Sequence, residues 1–294
     1  MTIMEKGLYQ LVGGDGRELT AEKLANLIRQ KDFTTKERKR LLLWLEELKF
    51  WEEYSKIYFN LEKARPYSNL SRTISKMIKP NNGERWLDVG CGPLRISELI
   101  YQANAEVGSI DAIDIVLSPA KEKIRKLKEK GIYLPVKIKY ASITDILPYP
   151  NNFFDGIGAN LIIPYVIDFM GKKGKAALEG VFKEMFRILK PGGRIVWSTP
   201  KQNVNFVWVF LASIPDMLNL YEYVARRDFT RILQGARILR HALEIQSKGK
   251  KGIYTFLSLQ ELQSLLIRQI NFVDLEWDNT FTGQVWVNKA YKPR

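Results

Sequence analysis

Cysteine and histidine are nearly absent from this chain. Its 294 residues include one cysteine, Cys91, and one histidine, His241. A single cysteine excludes an intrachain disulfide, and these two residues are too few for a Cys-built or His-rich metal site. We therefore expect a protein without a resident metal ion.

Long hydrophobic runs are missing as well. No stretch of the sequence approaches the roughly 18 apolar residues of a membrane span. The N-terminus lacks the apolar core of a secretion signal. These absences predict a cytoplasmic protein, with contact to a membrane surface left open.

Acidic residues are in the minority, because 32 Asp and Glu face 46 Lys and Arg, a formal net charge of +14. Such an excess suits an anionic partner, such as nucleic acid, a phosphate-bearing substrate or an acidic membrane surface. A lysine-rich solvated surface would give the same count, so the charge alone does not distinguish an anionic partner from a solvated basic surface.

Short apolar segments alternate with helical ones through the middle of the chain. The strand-like segments are Arg85–Val89, Ser109–Ile115, Val136–Ala141, Phe154–Asn160 and Arg194–Ser198. This alternation favours a parallel sheet with helices on both faces. Two closing strands, Phe272–Trp277 and Val285–Tyr291, complete the pattern. We predict an α/β fold with a Rossmann-like, seven-stranded, mostly parallel sheet.

Four regions are predicted along the chain. Residues 1–80 form an N-terminal helical cap, with residues 1–16 loosely ordered, and residues 81–202 form the core. Residues 203–256 form a helical insert that completes the cap, and residues 257–294 form the last core helix and the closing hairpin. Capping boxes at Thr34 with Glu37 and at Ser258 with Glu261 mark two helix starts.

The most informative segment is Trp86-Leu-Asp-Val-Gly-Cys-Gly-Pro93, in which a hydrophobic strand meets two glycines before a helix. Gly90 and Gly92 permit a sharp turn and the approach of a ligand where a Cβ would collide. The helix that follows begins with free N–H groups. Asp88 is placed to accept hydrogen bonds from an ammonium group. A tight turn without any ligand is the alternative for this segment alone.

Further polar residues follow at the ends of later strands. About twenty residues past the glycines, Ile110-Asp-Ala-Ile-Asp-Ile115 ends a strand in an acid, where dinucleotide-binding folds bind a ribose diol. Asp114 suits this position best, and Asp111 is the competing candidate. Ser142 follows the third strand, and Asn160 ends the fourth.

The chain resembles the class I S-adenosylmethionine-dependent methyltransferases, and within them the methyltransferase type 11 group that acts on small molecules. The similarity covers roughly residues 50–200. Its motifs are Leu87-Asp-Val-Gly-Cys-Gly-Pro93, the acid after the second strand, Leu147-Pro-Tyr-Pro-Asn-Asn-Phe-Phe-Asp155 and Arg187-Ile-Leu-Lys-Pro-Gly-Gly193. The resemblance implies S-adenosyl-L-methionine as the cofactor and a methyltransferase activity.

The resemblance also implies roles for individual residues. In such enzymes the first motif holds the methionine end of the cofactor, which here points to Asp88, Gly90, Cys91 and Gly92. The acid after the second strand binds the ribose, which points to Asp114.

The other part of the implied site comes from later strands and from the N-terminal cap. Ser142 and Ile143 would flank the adenine, and Asn160 would face the reactive sulfonium. The aromatic segment Trp51–Tyr58 resembles a helix that closes over the cofactor, with Tyr58 at its inner end.

This sequence departs from the family pattern at three places. Leu94 stands at the third glycine of the first motif, and Ser142 stands where an acid would hold the adenine amino group. Pro164-Tyr165 replaces a histidine that often follows the fourth strand. A general base is not assigned; the candidates are His241, Tyr54, Tyr58 and Asp168, and we expect His241 on the surface.

The insert bears on the methyl acceptor. It contains the apolar stretch Val204–Ala212 followed by a group of arginines, namely Arg226, Arg227, Arg231, Arg237 and Arg240. This combination suits a lipid or isoprenoid-quinone type of acceptor at an anionic membrane surface. It also suits a lid helix with a solvated basic face. In the first case we expect Trp208 and Phe210 to line the acceptor pocket.

Two other functions stay open at this stage. The net charge motivates an RNA methyltransferase, although no recognisable RNA-binding module flanks the core. Leu94 and Ser142 motivate a non-catalytic nucleotide-binding protein with the same fold. The sequence identifies neither the acceptor nor the oligomeric state.

Overall fold

The computed structural model describes residues 6–13, 17–58, 64–217 and 230–294. Its strands are β1 (Arg85–Val89), β2 (Ser109–Asp114), β3 (Val136–Tyr140), β4 (Phe154–Asn160), β5 (Leu189–Pro200), β6 (Val273–Thr280) and β7 (Val285–Tyr291). They form one sheet in the order β3-β2-β1-β4-β5-β7-β6. The first five strands are parallel, and β7 runs antiparallel to both neighbours. The predicted seven-stranded, Rossmann-like sheet is confirmed.

Ten α-helices are present in the described part of the chain. They are α1 (Leu8–Leu11), α2 (Ala21–Gln30), α3 (Thr35–Tyr58), α4 (Arg65–Ile78), α5 (Arg95–Ala103), α6 (Ser118–Glu129), α7 (Lys175–Ile188), α8 (Phe206–Met217), α9 (Thr230–Lys250) and α10 (Leu259–Gln263). A 3₁₀ turn covers Ile163–Tyr165, and α10 continues as a π-helical stretch over Ser264–Ile270.

Alternating side chains along the buried strands pack into two cores, one on each face of the sheet. On β1, Leu87 packs with α7 and the π-helical stretch on one face, whereas Trp86 packs with α4 and α5 on the other. Successive side chains of a strand point to opposite faces of the sheet, so a strand buried on both faces has a continuous apolar sequence. Short apolar segments of this kind therefore predicted the central strands well.

The helix starts also follow local sequence signals. Ser258 accepts a hydrogen bond from the Glu261 N–H, and the Glu261 carboxylate accepts one from the Ser258 N–H. Thr34 and Glu37 make the same reciprocal pair before α3. Each pair satisfies backbone groups that a helix end leaves unbonded.

Two details of local order differ from the sequence predictions. Of residues 1–16, predicted to be loosely ordered, the structure describes residues 6–13, where α1 buries Leu8 against the cap helices. The predicted fifth strand, Arg194–Ser198, begins five residues earlier, because β5 starts at Leu189. Its Gly193 carbonyl accepts the Lys292 N–H, so pairing with the C-terminal residues extends the strand.

The predicted region boundaries at residues 80, 202 and 256 fall in connections between elements, while the division into functional regions stays a prediction. Among the described residues, no helix has the length and apolar character needed to cross a bilayer. The same residues contain no cluster of three metal-ligating side chains.

Candidate active site

A cleft opens where β1, β2 and β4 reach their carboxyl ends, and α3 covers it. Its free space is about 740 Å³ with the open mouth included. The strand ends contribute Asp88, Gly90, Cys91, Gly92, Asp114 and Asn160, and the cap contributes Trp51, Tyr54 and Ser55. Ligands of open α/β folds bind at this edge of the sheet. The fold thus brings the principal sequence-predicted residues together.

The two glycines of the first motif differ in their surroundings. Both have left-handed backbone angles, with φ of 63° at Gly90 and 45° at Gly92. A Cβ on Gly90 would lie 2.5 Å from Ile162 Cγ1, so the missing side chain makes room for Ile162, while Gly90 itself lines the cleft. A Cβ on Gly92 would meet nothing within 4 Å. Only Gly92 therefore leaves free space beside the cleft.

Leu94 shows that the missing third glycine does not alter the turn. Its φ is 63°, the left-handed region that a glycine would occupy at lower cost. Leu94 is fully buried, and its apolar contacts are made with the Ala112 and Ala120 region of the core. Packing therefore holds a conformation that the side chain disfavours.

Asp88 is buried beneath the cleft with one oxygen unsatisfied. Its Oδ2 accepts hydrogen bonds from the Ser97 N–H at 2.9 Å and the Ser97 hydroxyl at 2.7 Å. Its Oδ1 has no hydrogen-bond partner in the described part of the chain. Burial raises the pKa of this carboxyl to about 7, against the lowering effect of the Ser97 bonds. A buried acceptor without a partner is costly, so this oxygen suits a cationic donor.

Asp114 organises the loop that surrounds it. Its Oδ2 accepts the Gly92 N–H at 2.8 Å, and its Oδ1 accepts the backbone N–H groups of Ile115 and Val116 at 2.7 and 3.1 Å. Burial raises the pKa of this carboxyl despite these bonds. A carboxylate has about four acceptor positions, so capacity for a ligand hydroxyl is left.

Asp111, the competing candidate for ribose binding, lies elsewhere. It forms an ion pair with Lys139 at 2.7 Å and borders a separate polar cleft that also contains Arg85 and Lys190. It lies three positions before Asp114 on β2, which places it away from the carboxyl end of the strand. Of the two acids, only Asp114 lines the main cleft.

A second cavity, about 530 Å³ with its opening to solvent included, continues from the main cleft past Asp114 toward the end of β3. Ser142 and Ile143 line it, as expected for residues that flank an adenine. The Ser142 and Thr144 hydroxyl oxygens lie 2.7 Å apart in a hydrogen bond. The residues after β3 that line this cavity carry no carboxylate. Glu47 of α3 lines the same cavity and supplies one from the cap.

Glu47 also connects the two parts of the cap. It accepts hydrogen bonds from Lys248 of α9 at 2.6 Å and from the Tyr254 hydroxyl at 2.5 Å. Burial beside this carboxylate raises the pKa of the Tyr254 phenol. Since Glu47 and Lys248 are both largely buried, their ion pair fixes α9 against α3 above the main cleft.

An apolar cavity leads from Asn160 away from the main cleft. Its inner part, about 480 Å³ with open solvent included, shares Trp51, Tyr54 and Asn160 with the cleft. Its outer part, about 370 Å³ counted in the same way, reaches Phe210 between α8 and α9. Aromatic and aliphatic side chains make up most of both walls, among them Tyr67, Tyr165, Phe206, Val209, Ile238, Ile245 and Phe281.

The insert places its two predicted pocket residues on opposite sides. Phe210 lines the outer cavity, as expected. Trp208 is 61% exposed and stands with the exposed Val207 and Leu211 on the outward face of α8, so its predicted place in the pocket is wrong. A helical period separates residues two positions apart by about 200°, which sends them to opposite faces. Arg226 and Arg227 lie outside the described residues, and so does the side chain of Arg231.

The candidate bases have structural partners. Asp168 is buried in a two-point ion pair with Arg40, at 2.7 and 3.0 Å. His241 was expected on the surface but is buried, with its Nδ1 2.8 Å from the Arg237 carbonyl and its ring beside Tyr54. Burial raises the pKa of the Tyr54 phenol, which disfavours its basic form. Tyr58 ends α3, and its side chain lies outside the described residues.

Some residues of the site were not predicted from the sequence. Glu47, Ile162 and Ser198 gain their positions only through tertiary contacts, and no local pattern marks them. Trp44 of α3 also lines the cavity beside Ser142.

Comparison with known proteins gives a consistent result. The methyltransferase-domain family matches residues 80–259. Ubiquinone/menaquinone biosynthesis C-methyltransferase UbiE of Yersinia pestis is 33% identical over 114 residues, covering 39% of this chain and 41% of that protein. Demethylmenaquinone methyltransferase of Geobacillus is 26% identical over 149 residues, covering 49% of this chain and 59% of the relative. The matches thus span about half the length of these relatives.

A solved structure supports the same fold. An O-methyltransferase family protein from Burkholderia thailandensis superimposes with a TM-score of 0.53 at 11% identity. The match covers 84% of this chain and 63% of that one.

Proposed function

Because the chain belongs to the class I S-adenosylmethionine-dependent methyltransferases, we propose that it methylates a small apolar acceptor that carries a quinol or phenol ring. The cofactor is S-adenosyl-L-methionine, which supplies an electrophilic methyl group on a sulfonium. The observation that carries the proposal is the apolar cavity that begins at Asn160 and Tyr54, at the border of the cofactor cleft.

The cofactor-binding roles in this proposal follow from the contacts of the cleft. Asp88 Oδ1 accepts the ammonium group, since it is buried and without a partner among the described residues. Asp114 accepts a ribose hydroxyl at the end of β2. Ser142 and Ile143 flank the adenine in the adjoining cavity. Gly92, with free space beside it, lets the ligand approach the backbone.

The acceptor lies in the aromatic cavity with its ring near Asn160. The walls formed by Tyr67, Phe206 and Phe281 bury apolar surface, which contributes about 25 cal/mol per Å². Transfer forms a bond between the methyl carbon and a carbon or oxygen of the acceptor. It breaks the bond between the methyl carbon and the sulfur. The sulfur keeps the electron pair as a neutral thioether, and the acceptor loses one proton to solvent.

Alignment of the reactants is the main contribution of the protein in this proposal. Holding nucleophile, methyl and sulfur in line can account for several orders of magnitude of rate. Neither Asp168 nor Tyr54 suits the role of a base, since Asp168 is paired with Arg40 and burial raises the pKa of the Tyr54 phenol. A quinol suits such a site because its ring is electron-rich without prior deprotonation by a side chain.

The named activities of the two quinone-related relatives support this acceptor class, and the outward face of α8 supports access from a membrane. Val207, Trp208 and Leu211 are exposed there, and the exposed Arg237 and Arg240 lie on the adjacent helix α9. An aromatic and aliphatic face beside basic side chains favours binding to an anionic lipid surface. We therefore propose that the protein acts as a peripheral component at the cytoplasmic side of a membrane.

The test uses methyl-labelled S-adenosylmethionine and three acceptor pools. These are a reduced prenylated naphthoquinone in vesicles, a mixture of polar metabolites and bulk RNA. Label in the naphthoquinol supports the proposal. Label in RNA favours the RNA methyltransferase instead, and cofactor binding without label in any pool favours a non-catalytic protein.

A further inference from the structure

Ser198 of β5 lies directly beside Asn160 and is fully buried. Its hydroxyl donates a hydrogen bond to Asn160 Oδ1 at 2.7 Å. Its oxygen accepts the Leu161 N–H at 2.9 Å. Leu161 has a left-handed backbone with φ of 51°, so the chain turns away from the sheet at this point. Ser198 thus holds both the side chain and the backbone at the end of β4.

These two bonds determine which end of the Asn160 amide faces the cleft. In the described part of the chain, the Ser198 hydroxyl makes no third hydrogen bond. Its single hydrogen therefore needs the amide oxygen of Asn160 as acceptor, because a buried donor without a partner costs about 1–3 kcal/mol. The NH₂ group of Asn160 is then directed away from Ser198. Asn160 is half-buried and borders both the cofactor cleft and the aromatic cavity.

A hydrogen-bond donor at this border has a restricted set of ligands. The sulfonium and the ammonium of the cofactor are cations, which the positive end of an amide dipole repels. The unpartnered oxygen of Asp88 already suits the ammonium. The amide oxygen would have suited the sulfonium, but Ser198 turns it away. The remaining match is an oxygen atom with lone pairs.

We propose that Ser198 is a positioning residue that fixes the Asn160 NH₂ toward the methyl acceptor, where it donates a hydrogen bond to a hydroxyl or carbonyl oxygen on the acceptor ring. This inference rests on the proposed function and deepens it. It makes ring oxygenation a requirement for binding, so the site selects an oxygenated ring over a hydrocarbon of the same shape. The bond also fixes the rotation of the ring in front of the methyl group.

The test compares two probes of similar shape on protein saturated with S-adenosylhomocysteine. 1,4-Naphthoquinone has acceptor oxygens and naphthalene has none, and ligand-observed NMR titration measures the affinity of each. We expect the native protein to prefer the quinone. Ser198→Ala is expected to weaken quinone binding about three- to tenfold, the usual range of one hydrogen bond, without changing naphthalene binding. Calorimetry should find the S-adenosylhomocysteine affinity unchanged.

A double-mutant cycle separates orientation from a general structural effect. In an Asn160→Ala background, Ser198→Ala should change quinone affinity by less than about twofold, because no amide is left to orient. Thr199→Ala is the matched control, since it removes a neighbouring buried hydroxyl that donates to the Pro200 carbonyl. This control should bind both probes normally. If Ser198→Ala fails to fold, Asn160→Asp keeps the acceptor for Ser198 and replaces NH₂ by oxygen, and it should lose the preference for the quinone.

Several results would overturn the proposal. These are equal binding of the two probes by the native protein, an equal loss for both probes in Ser198→Ala, additive effects in the cycle, or a fall in S-adenosylhomocysteine affinity. The last result would assign the amide to the cofactor carboxylate. The proposed function fails separately, if the quinone preference holds but no methyl group reaches a reduced naphthoquinone.

Discussion

Replacing Asp88 with asparagine is expected to weaken cofactor binding with little change in the fold. Asparagine has the same shape, and its oxygen can keep the bonds to the Ser97 N–H and hydroxyl that Asp88 Oδ2 now accepts. The NH₂ group then takes the place of Oδ1, the buried oxygen without a partner in the described residues. The substitution thus removes one acceptor for the ligand ammonium and keeps the hydrogen bond to the Ser97 N–H in the first turn of α5.

The size of the effect follows from the type of bond that is lost. A hydrogen bond to a charged group contributes about 1.5–3 kcal/mol. This range corresponds to about a ten- to 150-fold increase in the dissociation constant for S-adenosylhomocysteine. Calorimetric titration of the native and Asp88→Asn proteins measures it, and circular dichroism checks that the variant is folded.

The pH dependence gives a second readout of the same carboxyl. Burial raises the Asp88 pKa to about 7, so the ionised form that attracts the ammonium is lost as the pH falls through 7. Since this pKa is raised above its unfolded value, Asp88 favours the folded apo-protein at low pH, and that contribution is lost as the pH rises from about 4 to 7. The rise in melting temperature on adding S-adenosylhomocysteine should therefore be larger at pH 7.5 than at pH 5.5.

Two results would refute this reasoning. An Asp88→Asn protein that binds S-adenosylhomocysteine as tightly as the native protein would show that Oδ1 does not receive the ammonium. A native protein whose thermal shift does not change between the two pH values, or an Asp88→Asn protein with the same pH slope, would show that another group is responsible.

The remaining predictions concern the cap. Glu47→Ala leaves the largely buried Lys248 ammonium with only the more exposed Glu244 carboxylate, at 3.3 Å, and removes the acceptor of the Tyr254 hydroxyl. We expect the free energy of unfolding in urea to fall by about 2 kcal/mol; an unchanged midpoint would contradict this. Trp208→Ser should reduce sedimentation with anionic vesicles, most clearly at low salt, while methyl transfer to a soluble naphthoquinol persists. Phe210→Ala should raise the KM for that acceptor and leave vesicle binding and cofactor affinity unchanged. If Trp208→Ser and Phe210→Ala behave alike, the assignment of Trp208 to the surface and Phe210 to the cavity is wrong.

The sequence alone determined the sheet and most of the cofactor cleft. The strands of the core are short apolar runs, and the glycine turn after β1 lies next to the residues that it positions. Asp88, Gly92 and Asp114 could be identified because each stands at the end of a strand, and parallel strands bring their carboxyl ends to one edge. The two capping boxes were likewise local, since donor and acceptor lie three residues apart.

Tertiary structure alone decided the partners of these residues. Gly90 gives room to Ile162, seventy-two residues away, and Asp111 pairs with Lys139 of the neighbouring strand beside a different cleft. His241 is buried because α9 packs its ring beside Tyr54 of α3. The Ser198 hydroxyl and the Glu47 carboxylate carry no local signal, since their roles come from contacts across 38 and 201 residues of chain. Periodicity and turn chemistry act over a few residues, whereas a hydrogen bond across the fold depends on how whole elements pack.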